Sequence, residues 1–151
     1  MATELDPVDA LAQVSFLVQG ALERRAGEHG ISLIQTRLLG ILRDRTPTIN
    51  ELAELLGLDK SSTSGLVNRA QHRGLVRRVP SQLDRRSVRV RLTGQGRELV
   101  QDVSALFAAD IAAMLEPLSG AAQAELTAHL SQMVVAHAAS RGVDLFAAGT
   151  P

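Results

Sequence analysis

Apolar positions along this chain recur first at a helical period and then at a period of two, and the switch divides it into parts. Leu11, Val14, Val18, Ala21 and Leu22 are spaced at three and four, which predicts a first helix opened by Pro7 and Asp9 and running to about Glu28. Gly30 interrupts it. Ile34, Leu38, Ile41 and Leu42 predict a second helix over about 33–43, and Thr46-Pro47 breaks the chain after it. Thr48 with Glu51 three residues on is a capping box for a short third helix, 49–56, ended by Gly57. Asp59 then caps a fourth, 60–73, which Gly74 terminates.

After Gly74 the period becomes two. Leu75 to Val79 reads as a short strand stopped by Pro80, and Ser87 to Thr93 alternates with Val88, Val90 and Leu92 on one face and Ser87, Arg89 and Arg91 on the other. The connection 81–86 is polar apart from Leu83. Thr93 caps a long helix to about Glu116, striped by Leu99, Val103, Leu106, Phe107, Ile111 and Met114. Pro117 and Gly120 mark a bend before a last helix, 121–139, carrying Leu126, Leu130, Met133 and Val134. Past Gly142 the tail is expected to fray, with Leu145 and Phe146 available to dock on a neighbour. The class this predicts is mainly α with a small β-hairpin.

Charge sharpens that reading. The 151 residues carry zero formal net charge, but 58–97 holds ten basic residues against Asp59 and Asp84, a surplus of eight, so the remainder is as acidic as this stretch is basic. A segregated field of this kind suits a polyanionic partner. Two short helices joined by a tight turn and followed by a basic hairpin form the winged version of a helix–turn–helix, whose second helix enters the major groove of duplex DNA. On helix 60–73, Thr63, Leu66, Val67 and Ala70 are expected to face the core. Lys60, Ser61, Ser62, Ser64, Asn68, Arg69 and Arg73 are the expected DNA contacts, small hydroxyls permitting close approach to phosphates and base edges. Gly65 lowers helix propensity by about 1 kcal/mol relative to Ala, tolerable where a backbone passes near the duplex. Arg77 is an expected phosphate contact. Arg85 and Arg86, at the hairpin tip where a solvated turn would favour Asn or Gly, are expected to enter the minor groove. Asp84 is expected to orient an arginine. Of Arg89 and Arg91, at least one reads as a solvated strand face.

Other chemistry is thin. Lacking cysteine, the chain has no disulfide, thiolate metal site or thiol switch. His129 and His137 are eight residues apart on one helix, about 12 Å along its axis, too far to share an ion within one chain, and no metal or cofactor is expected. No paired carboxylates, nucleophile–base arrangement or complete phosphate loop is present, so an enzyme is not expected. With only three aromatics (Phe16, Phe107, Phe146), single-strand stacking platforms are not expected either. No apolar run approaches the ~20 residues that span a bilayer, and the acidic start lacks the basic opening of a signal peptide; the expected location is the bacterial cytoplasm, on the nucleoid when bound.

Several stretches together carry a family resemblance. They are Leu52-Ala53-Glu54-Leu55-Leu56-Gly57-Leu58, the run Ser61 to Val67, Arg69, Arg73-Gly74-Leu75-Val76, and Asp84-Arg85-Arg86-Ser87 leading to Leu92-Thr93 and Gly96. This resembles the MarR family of bacterial winged-helix regulators, most strongly over about 48–97. The resemblance implies an N-terminal dimerisation helix (1–30), a winged helix–turn–helix (31–97) and C-terminal dimerisation helices with a tail (98–151). It further implies a homodimer on a pseudo-palindromic site, acting as a repressor released by a small molecule held between the dimer helices and the winged unit. His29, Gln35 and Arg37 are polar groups that can be named near that cleft, though each reads first as a solvated residue at a helix end. Independently of the resemblance, the apolar stripes of the outer helices exceed what one small winged unit covers, which favours pairing of two chains. The chain departs from the family pattern at Leu83 and Ala70, and having neither Tyr nor Trp it offers a ligand no phenol or indole. Two other readings stand beside this one: a non-inducible, architectural DNA-binding protein, and a winged helix used for protein contacts. The charge block opposes the second of these, because protein interface cores are depleted in charge.

Overall fold

The computed structural model describes residues 4–81 and 87–142, so Leu83, Asp84, Arg85, Arg86, Leu145 and Phe146 lie outside the described residues. The elements run α1 (Pro7–Glu28), α2 (Leu33–Asp44), α3 (Ile49–Leu56), α4 (Lys60–His72), β1 (Val76–Pro80), β2 (Val88–Leu92), α5 (Gly94–Leu115) and α6 (Gly120–Ser140). The helix ends are where local chemistry placed them. Ser32 and Thr48 form capping boxes with Gln35 and Glu51, while Asp6, Asp59, Thr93 and Ser119 cap α1, α4, α5 and α6. Gly57 adopts φ +67° at the end of α3, a left-handed turn that side chains disfavour, and the Leu58 N–H bonds back to the Ala53 carbonyl at 3.0 Å. That turn swings the chain directly from α3 into α4.

Around it sits one core. Leu38, Leu39 and Leu42 of α2 meet Leu52 and Leu56 of α3, Leu66, Val67 and Ala70 of α4, and Val76, Val90 and Leu92 of the hairpin, closed by Val100 and Val103 of α5. Burying each large aliphatic side chain contributes about 1.5–3 kcal/mol. The four positions of α4 expected to face inward, Thr63, Leu66, Val67 and Ala70, are the ones buried. The hairpin is antiparallel in the register Val76–Leu92, Arg77–Arg91 and Arg78–Val90. One feature escaped the period-two reading: the segment before α3 lies along β2, with the Val90 N–H donating to the Pro47 carbonyl at 2.8 Å and a bridge between Thr48 and Arg89. A proline offers no N–H but still accepts, so this edge pairs without showing strand periodicity.

Only the C-terminal half of α1 joins the core, through Ala21, Leu22 and Ala26. It is fastened to α5 by Arg25, whose Nε and Nη2 grip the two carboxylate oxygens of Asp110 at 2.7 Å each, with Arg24 adding a third contact at 3.3 Å. The hydrogen bonds from Arg25 hold the Asp110 carboxyl below its ordinary range. Val8, Leu11, Val14, Phe16 and Leu17 of α1, and Leu130, Met133, Val134 and Val135 of α6, remain exposed.

Two outcomes follow from this packing. A Cβ at Gly96 would collide with the Leu75 carbonyl, a backbone atom with no freedom to yield. Gly96→Ala should therefore destabilise by about 3 kcal/mol or more, read as a melting-temperature loss on the order of 10 °C. For Asp110, a lowered folded-state value means stabilisation present in full above about pH 4 and lost as pH falls through that lowered value. Asp110→Asn should be less stable than wild type in denaturant titrations at pH 7, with the gap closing in acid; a gap independent of pH would uncouple the ion pair from folding.

Candidate nucleic-acid interface

The recognition surface starts at Asp59. Its carboxylate accepts the Ser62 N–H at 2.8 Å and the Ser62 hydroxyl at 2.6 Å, and these bonds, the hydroxyl's first, hold it below its usual range. Thr63, fully buried, donates its hydroxyl to the Asp59 carbonyl at 2.9 Å. The first turn of α4 is thereby fixed before any ligand arrives. Lys60, Ser61, Ser62, Asn68, Arg69 and His72 are exposed and Ser64 is half-buried. With the core stripe on the opposite side, Ser61, Gly65, Asn68 and His72 run along the middle of the outer face. An added Cβ on Gly65 would lie 3.5 Å from Arg69 Nη1, so the bare position keeps the helix surface low there.

The hairpin supplies the charge. Arg77 and Arg91 are exposed, directly opposite each other in the ladder, and without an ion pair or hydrogen-bonded partner among the described residues. Like charges facing across a strand pair are destabilising, so this pair favours an external anion. Of the two strand arginines, at least one of which reads from sequence as a solvated face, Arg91 is exposed and in register with Arg77. Arg89 is occupied differently. Its Nη1 donates to the Thr46 carbonyl at 2.8 Å and lies 3.9 Å from Glu51, and its Nε donates to the Ser81 hydroxyl at 3.4 Å, tying β2 to the start of α3.

Two further arginines are committed inside the unit. Arg73 donates from Nη1 to the Gly30 carbonyl at 2.7 Å and from Nη2 to the His29 carbonyl at 3.2 Å, strapping the end of α4 to the α1–α2 turn. Arg78, which nothing in its sequence context singles out, reaches from β1 to α4 and donates to Gln71 and Asn68. The Arg78 contacts join residues seven and ten positions apart, and only the packed hairpin reveals them.

A cavity of about 250 Å³ opens between α1, α2 and α5. Leu22, Ile31, Leu39, Val100, Val103 and Phe107 give it apolar walls, and Thr36, Arg37, Arg43 and Ser104 are its polar groups. Of the three polar residues expected near such a cleft, Arg37 lines it. Gln35 accepts the Ser32 N–H at 2.9 Å in the α2 capping box, and His29 caps α1. Thr36, Arg43 and Ser104 carried no sequence signal, because each reads as an ordinary helix-surface residue until α5 folds across α2. Among the described residues no group of His, Asp and Glu is arranged to hold a metal ion, and no single helix is long and apolar enough to cross a membrane.

A capped recognition helix, a cationic hairpin beside it and a helix–turn–helix core beneath both define a winged-helix DNA-binding regulator. The chain matches the model of the MarR family over residues 29–87. It is 26% identical to the HTH-type transcriptional regulator PecS of Dickeya dadantii over 130 residues, covering 83% of this chain and 78% of that one. Among solved structures it is similar to RV1404 from Mycobacterium tuberculosis, with TM-score 0.73 and 29% identity over 89% of this chain and 95% of that one. It is also similar to CouR from Rhodococcus jostii RHA1 bound to p-coumaroyl-CoA, with TM-score 0.70 and 25% identity over 85% and 92% of the two chains.

The placement of the arginines separates their expected effects. Arg69→Ala should reduce the slope of log affinity against log salt by about one, as loss of a phosphate contact does, and Arg73→Ala should leave the slope unchanged while lowering thermal stability. Fluorescence anisotropy across a salt series measures the first and a thermal melt the second; equal slopes for wild type and Arg69→Ala would take Arg69 off the phosphate backbone.

Proposed function

We propose that this chain is a homodimeric repressor that binds a pseudo-palindromic operator and is released from it by a small-molecule ligand, in the cytoplasm and on the nucleoid. The Arg77–Arg91 pair, without a partner among the described residues and beside an outward-facing recognition helix, is the observation that carries the DNA side of this reading. Lys60, Ser61, Ser64 and Asn68 then face the major groove, Arg69, Arg77 and Arg91 take phosphates, and Arg85 and Arg86 approach the minor groove with Asp84 orienting one of them. Ser62 contributes less than its exposure indicates, since its hydroxyl hydrogen is held by Asp59.

Dimerisation is supported by two apolar helix faces that are exposed among the described residues. Val8 and Phe16 of α1 are 76% and 67% exposed, and Met133 and Val134 of α6 exceed half exposure. The cavity between α1, α2 and α5 supports the ligand. It lies between α1, which carries one of those faces, α5 and α2 of the winged unit, and its apolar walls with Arg37 beside them suit an anion with an apolar body. The similar protein CouR was solved with p-coumaroyl-CoA, an anion with an aromatic end.

Binding should be tight and salt-sensitive on an inverted repeat with half-sites about 10 bp apart, one duplex turn, with a dimer seen by analytical ultracentrifugation. Equal affinity for random duplex at moderate salt would overturn the operator, and a monomer at micromolar concentration would overturn the dimer. A thermal-shift screen of aromatic and acyl anions should find compounds that both raise the melting temperature and release DNA. If none does both, the inducible part fails and constitutive, architectural binding takes its place.

A further inference from the structure

Arg78 stands on β1 opposite Val90 and is half-buried in the crevice between hairpin and recognition helix. Its Nη1 donates to Gln71 Oε1 at 2.6 Å and its Nη2 to Asn68 Oδ1 at 2.8 Å. Gln71 and Asn68 are three apart on α4, so one planar fork spans both amides. A guanidinium has five N–H donors and no acceptor, which makes the orientation of both amides a chemical necessity: the atom facing Arg78 is the carbonyl oxygen. Charge-assisted bonds of this kind are about twice as strong as neutral ones.

We infer that Arg78 is a positioning residue for base recognition, turning the amides of Asn68 and Gln71 so that they present N–H donors and not carbonyl oxygens to the DNA. The consequence is a restricted code. An Asn or Gln that grips adenine needs both ends of the amide at the base edge, the oxygen accepting from N6 and the nitrogen donating to N7. With the oxygen drawn to the hairpin, only the donor remains for the outer face. Asn68, in the middle of that face, then selects acceptors: O6 and N7 of guanine, or O4 of thymine. This rests on the operator reading proposed above.

Selection from a randomised duplex library with the full chain tests it, using wild type, Asn68→Ala, Asn68→Asp and Arg78→Met. The position whose preference disappears in Asn68→Ala is the one Asn68 reads, and wild type should enrich guanine or thymine there. Asn68→Asp keeps an acceptor for Arg78 but has no N–H; it should lose that preference by about five- to tenfold and move toward cytosine, whose N4 donates. Arg78→Met frees the amide and should admit adenine at that position alone, a readout that a merely structural role would not move. Should Arg78→Met fail to fold in a thermal melt, Asn68→Asp decides the matter. Adenine enriched by wild type at the Asn68 position, an Asn68→Asp variant with unchanged preference, or an Arg78→Met variant weakened equally on all sequences overturns the role of Arg78 while leaving the operator intact. A wild-type pool with no enriched motif overturns the operator, and this inference with it.

Discussion

The Leu75 carbonyl lies where the end of the recognition helix, the base of the hairpin and the start of α5 meet. It accepts the Thr93 N–H at 3.0 Å, and the first turn of α5 passes so close above it that position 96 has room for glycine alone. Thr93 completes the junction, its hydroxyl donating to the Gly74 carbonyl at 2.5 Å and accepting the Gly96 N–H at 3.0 Å. Because α5 continues for 22 residues away from this point, its direction relative to α4 is fixed within a single helical turn. The cavity between α1, α2 and α5, and the angle at which the recognition helix stands to the outer helices, both inherit that direction. A ligand that moved α5 against α2 would act on α4 through a short, close-packed lever.

Electrostatics divides the basic stretch by role. Arg73, Arg78 and Arg89 are satisfied internally, by carbonyls, amides and a hydroxyl, and they fasten α4 to the α1–α2 turn, β1 to α4, and β2 to α3. Arg77 and Arg91 are left facing each other across the ladder. A protein with no anionic partner gains nothing from such a pair, whereas one that binds phosphate has its positive charge gathered in advance. The internal arginines hold the frame on which the free ones are displayed. Their chemical identity is the same, and their neighbours separate them.

Helix boundaries were legible because they are written in local chemistry. The capping box at Thr48, the caps at Asp59 and Thr93, and the turn at Gly57 involve residues within a few positions of each other, and the box at Ser32, found only in the structure, is equally local. The inward stripe of α4 was legible for the same reason, since periodicity is a property of one segment. The pairing of Pro47 with Val90 was not, because an edge made by a proline carbonyl leaves no alternation to detect. Nor were the rim residues Thr36, Arg43 and Ser104, which belong to a cavity only once α5 lies over α2.

The sequence by itself determined the element order, the face of α4 that turns inward and the concentration of positive charge on the winged unit, all of which follow from spacing along the chain. Tertiary structure alone decided which arginines are free to meet phosphate, which way the amides of Asn68 and Gln71 point, and where a ligand could lie. The reason is range. Caps and stripes act over one or two turns, while a guanidinium reaches across a gap between elements and takes its meaning from whatever the fold has placed on the other side.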